Sequence, residues 1–320
     1  LRQTTKPGGD NVKRVAAIDC GTNSVRLLVA DIEGDGLTEL SRRMEIVRLG
    51  QGVDRTGRLA AEALDRTFTA MRDYAKVIAQ HDAEAVRVVA TSATRDAANR
   101  DEFVAGVKEI FGVEPEVVTG AEEARLSFVG ATKDLVAAGV PAPSPYLVVD
   151  IGGGSTEFVV GAGDVDGALS VDIGCVRLTE RHLKAAGDPP PAEAVAAVAA
   201  DIDAALDQVA AHVPVGEART LVGLAGSVTT VAGIALELQE YDAERLHHAV
   251  ISAGEVREVT ERLIAMTHAE RAAISVMHPG RVDVIGAGAM ILNQIVTRFG
   301  FDRVVVSEHD ILDGIAWSLG

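Results

Sequence analysis

Two short segments carry the residue types that chemistry needs. Asp19-Cys20-Gly21-Thr22-Asn23-Ser24 and Asp150-Ile151-Gly152-Gly153-Gly154-Ser155-Thr156-Glu157 each place an aspartate at the end of an apolar run, followed by glycine and a hydroxyl. Glycines remove side chains from a tight turn, so that backbone N–H groups can converge on an anion while Ser24 or Ser155 adds a hydroxyl. The chemistry this suggests is phosphate binding. A dinucleotide-binding turn would open a helix, yet Gly152 to Gly154 run into the β-type stretch Glu157 to Val160, and neither a P-loop nor a Gly-x-Ser-x-Gly elbow is present. A carboxylate at the end of a buried strand is costly unless it faces a cation or hydrogen-bond donors. Asp19 and Asp150 therefore suggest Mg²⁺, which keeps several waters and takes one or two protein carboxylates.

The two turns are related. Laying Asp19 on Asp150 also matches Gly21 to Gly152, Ser24 to Ser155, Val29 to Val160, Asp35 to Asp166 and Gly36 to Gly167, at a constant offset of 131 residues. An internal duplication is expected, giving two halves that face one another across a cleft. A third segment, Gly226-Ser227-Val228-Thr229-Thr230, could hold another phosphate of the same ligand, although N-capping by Ser227 explains it as well. His247 and His248 lie side by side without further ligands in the sequence, which suits a surface loop better than zinc.

The elements that must position these residues follow from periodicity. Val15 to Ile18 and Val25 to Ile32 read as a hairpin, Leu59 to Gln80 and Asp101 to Phe111 as helices, and Ala85 to Ala90 as a buried strand. Glu122 to Val136 reads as a helix with acidic residues in its first turn, where the macrodipole favours them. Prolines at 141, 143 and 145 then interrupt the chain. The second half repeats strand, turn, strand at Tyr146 to Val160. It continues with a helix at Pro191 to His212, a strand at Thr220 to Leu224, helices at Ala253 to Thr267 and Ala287 to Phe299, a strand at Arg303 to Val306 and a last helix from Asp310 to Leu319. The pattern is α/β, with domains expected over 1–138 and 139–320 and the final helix, about 310–320, able to pack back on the first.

Composition sets the outer bounds. A chain of 320 residues with 48% apolar content can fill two cores. A net charge of −17 argues against nucleic acid as a partner, since a duplex binder needs a basic face. No apolar run is long enough to span a bilayer, and the polar start is unlike a secretion signal. Two cysteines are too few for a disulfide framework, which fits a cytoplasmic location. Between Arg42 and Arg58, five arginines outnumber Glu45 and Asp54, a segment that could be an anion funnel or merely solvated surface.

The two Asp-Gly turns resemble the phosphate motifs of the actin-like ATPase superfamily. Thr91-Ser92-Ala93-Thr94-Arg95, Gly120-Ala121-Glu122-Glu123-Ala124-Arg125-Leu126, Val176-Arg177-Leu178-Thr179-Glu180 and Arg281-Val282-Asp283-Val284-Ile285 narrow the likeness to the exopolyphosphatase and guanosine pentaphosphate phosphohydrolase family. That resemblance implies two related ribonuclease H-like domains facing a central cleft. It implies that Glu123 orients or deprotonates the attacking water and that Arg95 binds phosphate, with Asn23, Ser24, Gly153, Gly154, Ser155 and Ser227 as further phosphate contacts. Asp150 and Glu157 match catalytic or metal-binding acids, and Asp19 matches the corresponding metal position, for Mg²⁺ or Mn²⁺. The implied activity is release of terminal orthophosphate from inorganic polyphosphate, with guanosine pentaphosphate or another nucleotide as a second substrate. The chain resembles the short form without the C-terminal helical domain, which implies a preference for short polymers. A cytoplasmic homodimer is expected, with no nucleic-acid or membrane partner. The competing expectations are a small-molecule kinase or ATPase on the same scaffold and a non-catalytic polyphosphate or alarmone sensor.

Overall fold

The structure is a computed structural model and describes residues 12–34, 36–137, 140 and 142–320. The first domain boundary, drawn at 138/139, and Asp35 of the repeat lie outside the described residues. Within those described, the strands form two sheets, of five and six strands.

The first sheet contains β1 (Lys13–Cys20), β2 (Ser24–Glu33), β3 (Gly36–Ile46), β4 (Ala85–Ala90) and β5 (Glu116–Val117). Between them run α1 (Val53–Thr56), α2 (Ala61–Gln80), α3 (Ser92–Arg95) and α4 (Arg100–Phe111), and α5 (Gly120–Ala137) follows. The spatial order is β3-β2-β1-β4-β5. β1, β2 and β3 are antiparallel neighbours, while β4 and β5 continue the sheet parallel to β1.

The second sheet contains β6 (Tyr146–Ile151), β7 (Thr156–Gly161), β8 (Val165–Val171), β9 (Thr220–Leu224), β10 (Val250–Ser252) and β11 (Arg303–Val306). Its order is β8-β7-β6-β9-β11, with β10 added antiparallel at the far edge. Strand for strand this repeats the first sheet, so the duplication read from Asp19 and Asp150 is a duplication of topology. Its helices are α6 (Cys175–Leu178), α7 (Ala192–His212), α8 (Ala225–Ala235), α9 (Ala243–Leu246), α10 (Ala253–Ala265), α11 (His268–Ala272), α12 (Ile285–Phe299) and α13 (Ile311–Trp317).

β1 and β6 are central and covered on both faces, which is why they read as near-continuous apolar runs rather than alternating ones. Strand β3 gave no such signal. It is a sheet edge whose residues are exposed or half-buried, and Glu39, Arg42, Arg43 and Glu45 interrupt its apolar positions. The basic segment beginning at Arg42 is therefore divided. Arg42 and Arg43 lie on β3, where Arg42 bonds Asp313 and Glu39, whereas Arg48 bonds Asp283 and Arg58 approaches Glu102. Of the two readings open for this segment, the separate acidic partners of Arg42, Arg48 and Arg58 favour surface arginines over one continuous anion funnel.

The halves exchange helices. Ile311, Leu312, Ile315 and Ala316 of α13 pack with Val15, Ala17, Leu28 and Ala30 of the first sheet. Ala124, Phe128, Ala131 and Leu135 of α5 pack with Tyr146, Val148, Val159 and Val222 of the second. The two helices also meet each other backbone to backbone. A Cβ at Gly130 would lie 1.8 Å from the Asp310 carbonyl oxygen, and one at Gly314 would lie 2.0 Å from that of Leu126. Only glycine permits this approach.

Candidate active site

The duplicated turns close in the same way. Gly21 N–H donates to the Ser24 carbonyl at 3.0 Å, and Gly152 N–H donates to that of Ser155 at 3.0 Å. Each turn joins two antiparallel strands, and both open on one cavity between the sheets. Asp19, Asn23, Ser24, Glu123, Asp150, Gly153, Ser155, Glu157 and Ser227 all line it.

Arg95 and Gly154 stand behind that wall. Arg95 Nη1 donates to Glu123 Oε2 at 2.9 Å and to the Val118 carbonyl at 3.1 Å, so the guanidinium expected to clamp phosphate is engaged with Glu123. Gly154 packs against the first half, where a Cβ would lie 2.6 Å from Ser92 Oγ and 2.8 Å from Thr22 Oγ1. Ser227 is no N-cap. β9 runs directly into α8, Ser227 lies in the first helical turn, and its hydroxyl neighbours Cys175.

Asp19 faces Arg26 across β1 and β2, and the equivalent Asp150 faces Glu157 across β6 and β7. The first carboxylate is thus neutralised, with Arg26 Nη2 at 2.7 Å from Asp19 Oδ2 and Nη1 on Asp310. The second meets another acid. Asp150 Oδ2 accepts from Ser127 Oγ, and Glu157 Oε1 accepts from Ser170 Oγ, both at 2.7 Å.

Crowding these acids into a buried space shifts their titration. Burial pushes Glu123 up to about 7 against the pull of Arg95, and the charges of Asp150 and Asp19 add to the rise. Burial and then the field of Asp310 push Asp150 up to about 7. Glu157 lies well above the ordinary carboxylate range, through burial and then through Glu123 and Asp150. Asp310 goes the other way, because Arg26 outweighs its burial.

Among the described residues, no three His, Cys, Asp or Glu side chains are grouped so as to hold a metal ion. Asp19, Asp150 and Glu157 therefore form no three-carboxylate cage, and Glu157 is tied down by serine. One or two carboxylates remain a fit for hydrated Mg²⁺. Asp19 Oδ1 is buried without a hydrogen-bond partner, an acceptor that a cation or its water would satisfy. Asp19 and Asp150 are the residues that would hold it. The His247 and His248 rings lie tilted at 3.7 Å between centroids, with His309 tilted against His247 at 4.4 Å.

Two cationic contributors went unassigned in the sequence. Arg26 occupies the position in the repeat that Glu157 fills in the second half, which the offset could have revealed. Arg281 reaches the cavity from the far side, its guanidinium packed on Gly226, where a Cβ would lie 2.3 Å from Cζ. Its side-chain contacts are Thr230 Oγ1 at 3.4 Å and Met44 Sδ at 3.6 Å, with no carboxylate pair among the described residues. A half-buried guanidinium so placed is a counter-charge for an anion.

Fold and site together define a two-lobed scaffold with buried carboxylates between paired glycine turns, an arrangement suited to phosphate transfer or hydrolysis. The chain belongs to the Ppx/GppA phosphatase family, whose model matches residues 28–319. It is 50% identical to exopolyphosphatase 2 of Mycobacterium tuberculosis strain H37Rv, over 96% of this chain and 98% of that one. A crystal structure of an exopolyphosphatase-like protein superposes with a TM-score of 0.93 at 44% identity, covering 97% and 98% of the two chains. The Ppx-GppA enzyme of Aquifex aeolicus superposes at 0.80 with 34% identity, over 96% and 100%.

Proposed function

We propose that this chain is a metal-dependent exopolyphosphatase that releases terminal orthophosphate from inorganic polyphosphate. The observation that carries the reading is Glu123, a buried carboxyl raised to about 7 and restrained by Arg95 beside a cavity that both phosphate turns reach. A base titrating near neutral pH suits water activation. In this scheme Ser24, Asn23, Gly153 and Ser155 hold the terminal phosphoryl group, and Glu123 orients a water in line with the bridging oxygen. The water oxygen bonds to phosphorus, its proton passes to Glu123, and the bond to the bridging oxygen breaks. The shortened chain leaves with the electron pair. Asp19 and Asp150 would hold Mg²⁺ or Mn²⁺, whose charge would offset that developing on the phosphoryl oxygens. The acidic wall itself supports a cation requirement, since a polyphosphate would otherwise approach several carboxylates at low dielectric.

A preference for short chains is supported by the division of the arginines between Arg42 and Arg58, which among the described residues leaves that segment without a continuous basic track beyond the cavity. A second substrate, guanosine pentaphosphate, is favoured by an adjoining hollow. Arg43, Met44, Tyr241, Met277 and Arg281 line it, offering flat apolar contacts beside guanidinium groups.

The test is orthophosphate release from polyphosphates of defined length, from long polymer and from guanosine pentaphosphate, with Mg²⁺, Mn²⁺ or chelator. Metal-dependent release from short polymer is expected. Transfer of phosphate from ATP to an acceptor other than water would favour a kinase. Tight polyphosphate binding with no release would favour a sensor.

A further inference from the structure

The segment Val176 to Glu180 takes no part in the chemistry above, yet it touches both halves of the site. The Arg177 side chain is 13% exposed and forks three ways. Its Nε donates to the Gly154 carbonyl at 2.6 Å, Nη1 to Asp54 Oδ1 at 2.7 Å and Nη2 to Asp96 Oδ2 at 2.6 Å. The first acceptor belongs to the second phosphate turn, the other two to the first half. A planar guanidinium offers this spread of donors in fixed geometry, which an ammonium does not.

The backbone around Arg177 completes the hold. Cys175 N–H donates to the Gly152 carbonyl at 3.0 Å, and the N–H groups of Val176 and Arg177 donate to that of Gly153 at 2.9 and 3.0 Å. A trans peptide directs its carbonyl and the following N–H to opposite sides. With the carbonyls of Gly152, Gly153 and Gly154 held by residues 175–177, the N–H groups of Gly153, Gly154 and Ser155 face away from that segment. This is the orientation an anion-binding turn needs.

At the other end, Asp96 directly follows Arg95, which holds Glu123. One guanidinium thus joins the phosphate turn to the segment that restrains the water-orienting carboxylate. Glu180 adds a second strap by accepting from Gly52 N–H at 2.9 Å, close to Asp54 in the chain. Arg181 also reaches Asp54, at 3.1 Å, and its other partner is Asp201 rather than the turn.

We propose that Arg177 is a positioning residue that registers the second phosphate turn against the Arg95–Glu123 pair, holding water and phosphoryl group at reacting distance. The reaction in this statement rests on the exopolyphosphatase reading; the clasp rests on the hydrogen bonds.

The experiment compares Arg177→Lys with wild type and with Arg181→Lys, in kinetics and in amide hydrogen exchange. Arg177→Lys keeps the charge, but its three donors radiate from one nitrogen and cannot span acceptors arranged around three guanidinium nitrogens, so kcat is expected to fall about 10- to 100-fold, as misplacement of reacting groups does. KM should stay within about three-fold, because substrate binding is not what is lost. Exchange should quicken at both 152–156 and 92–96, and Arg181→Lys should match wild type in both readouts. In an enzyme already carrying Glu123→Gln, Arg177→Lys should cost almost nothing further, since the two act as a unit. Guanidinium added to Arg177→Ala should restore part of kcat, and methylammonium should not. A loss confined to KM, a full multiplicative loss on top of Glu123→Gln, or exchange that quickens at only one of the two segments would overturn the proposal. If wild type released no phosphate from polyphosphate, the reaction reading would fall, while the exchange measurement would still decide the clasp.

Discussion

Arg95 Nη1 lies 2.9 Å from Glu123 Oε2. The guanidinium expected to meet phosphate restrains the carboxyl expected to meet water, and it opposes the burial that raises that carboxyl's pKa. Removing it therefore has a signed consequence. Arg95→Ala should raise the Glu123 pKa beyond about 7, moving the acid limb of the kcat against pH profile upward. At pH 7 the variant loses rate, and part of the loss is recovered at higher pH. An acid limb that stayed in place would show that Arg95 does not act through Glu123.

The acid cluster also makes metal-free stability depend on pH. Glu123 and Asp150 titrate at about 7 in the folded protein, against ordinary values of 4.5 and 3.8. The native state then binds more protons than the unfolded chain between roughly pH 4 and 7, so stability falls as pH rises through that window. Thermal melts of chelated protein should show a Tm lower at pH 8 than at pH 5.5 by several degrees. Mg²⁺, by favouring the ionised carboxylates, should raise Tm more at pH 8 than at pH 5.5. Equal Mg²⁺ shifts at the two pH values would contradict a metal held by this cluster.

Where α5 crosses α13, Gly130 and Gly314 leave no room for a methyl group. Gly130→Ala or Gly314→Ala forces the helices apart, at a cost of about 1 to 3 kcal/mol or more. Urea denaturation should show the midpoint falling in each variant. Because this crossing joins the helix over the second sheet to the helix over the first, activity should fall at temperatures well below the melt. Wild-type midpoints in both variants would mean that the crossing is looser than the contacts indicate.

Much of this arrangement was legible in the sequence, for identifiable reasons. The 131-residue offset carried the repeat, because turn chemistry at Gly21, Ser24, Gly152 and Ser155 tolerates few substitutes and so leaves a visible signature. Interior strands such as β4, β9 and β11 were readable to the residue, since each carries a short β-branched or apolar stretch that is buried in the fold. β3 was not, because an edge strand carries charge where solvent reaches it. The site divided along a similar line. Asp19, Glu123, Asp150 and Ser155 could be picked by type and motif, and they meet around one cavity. The roles of Arg26, Arg95 and Arg177 depend on which carboxylate or carbonyl comes within 3 Å across the fold, a relation between distant segments that spacing along the chain does not encode. The two readings of the Arg42 to Arg58 segment could not be separated for the same reason, since the acidic partners of Arg42, Arg48 and Arg58 are set by the fold.

The most direct test of the account is the rate of terminal orthophosphate release by Glu123→Gln, measured with saturating Mg²⁺ and short-chain polyphosphate alongside wild type. The substitution keeps the shape of the side chain while removing its ability to take a proton. The kcat of Glu123→Gln should fall by about 10² to 10⁴, the range supplied by a positioned general base, with KM within a few-fold and a Tm at or above that of wild type. Retention of kcat within a few-fold of wild type would contradict it.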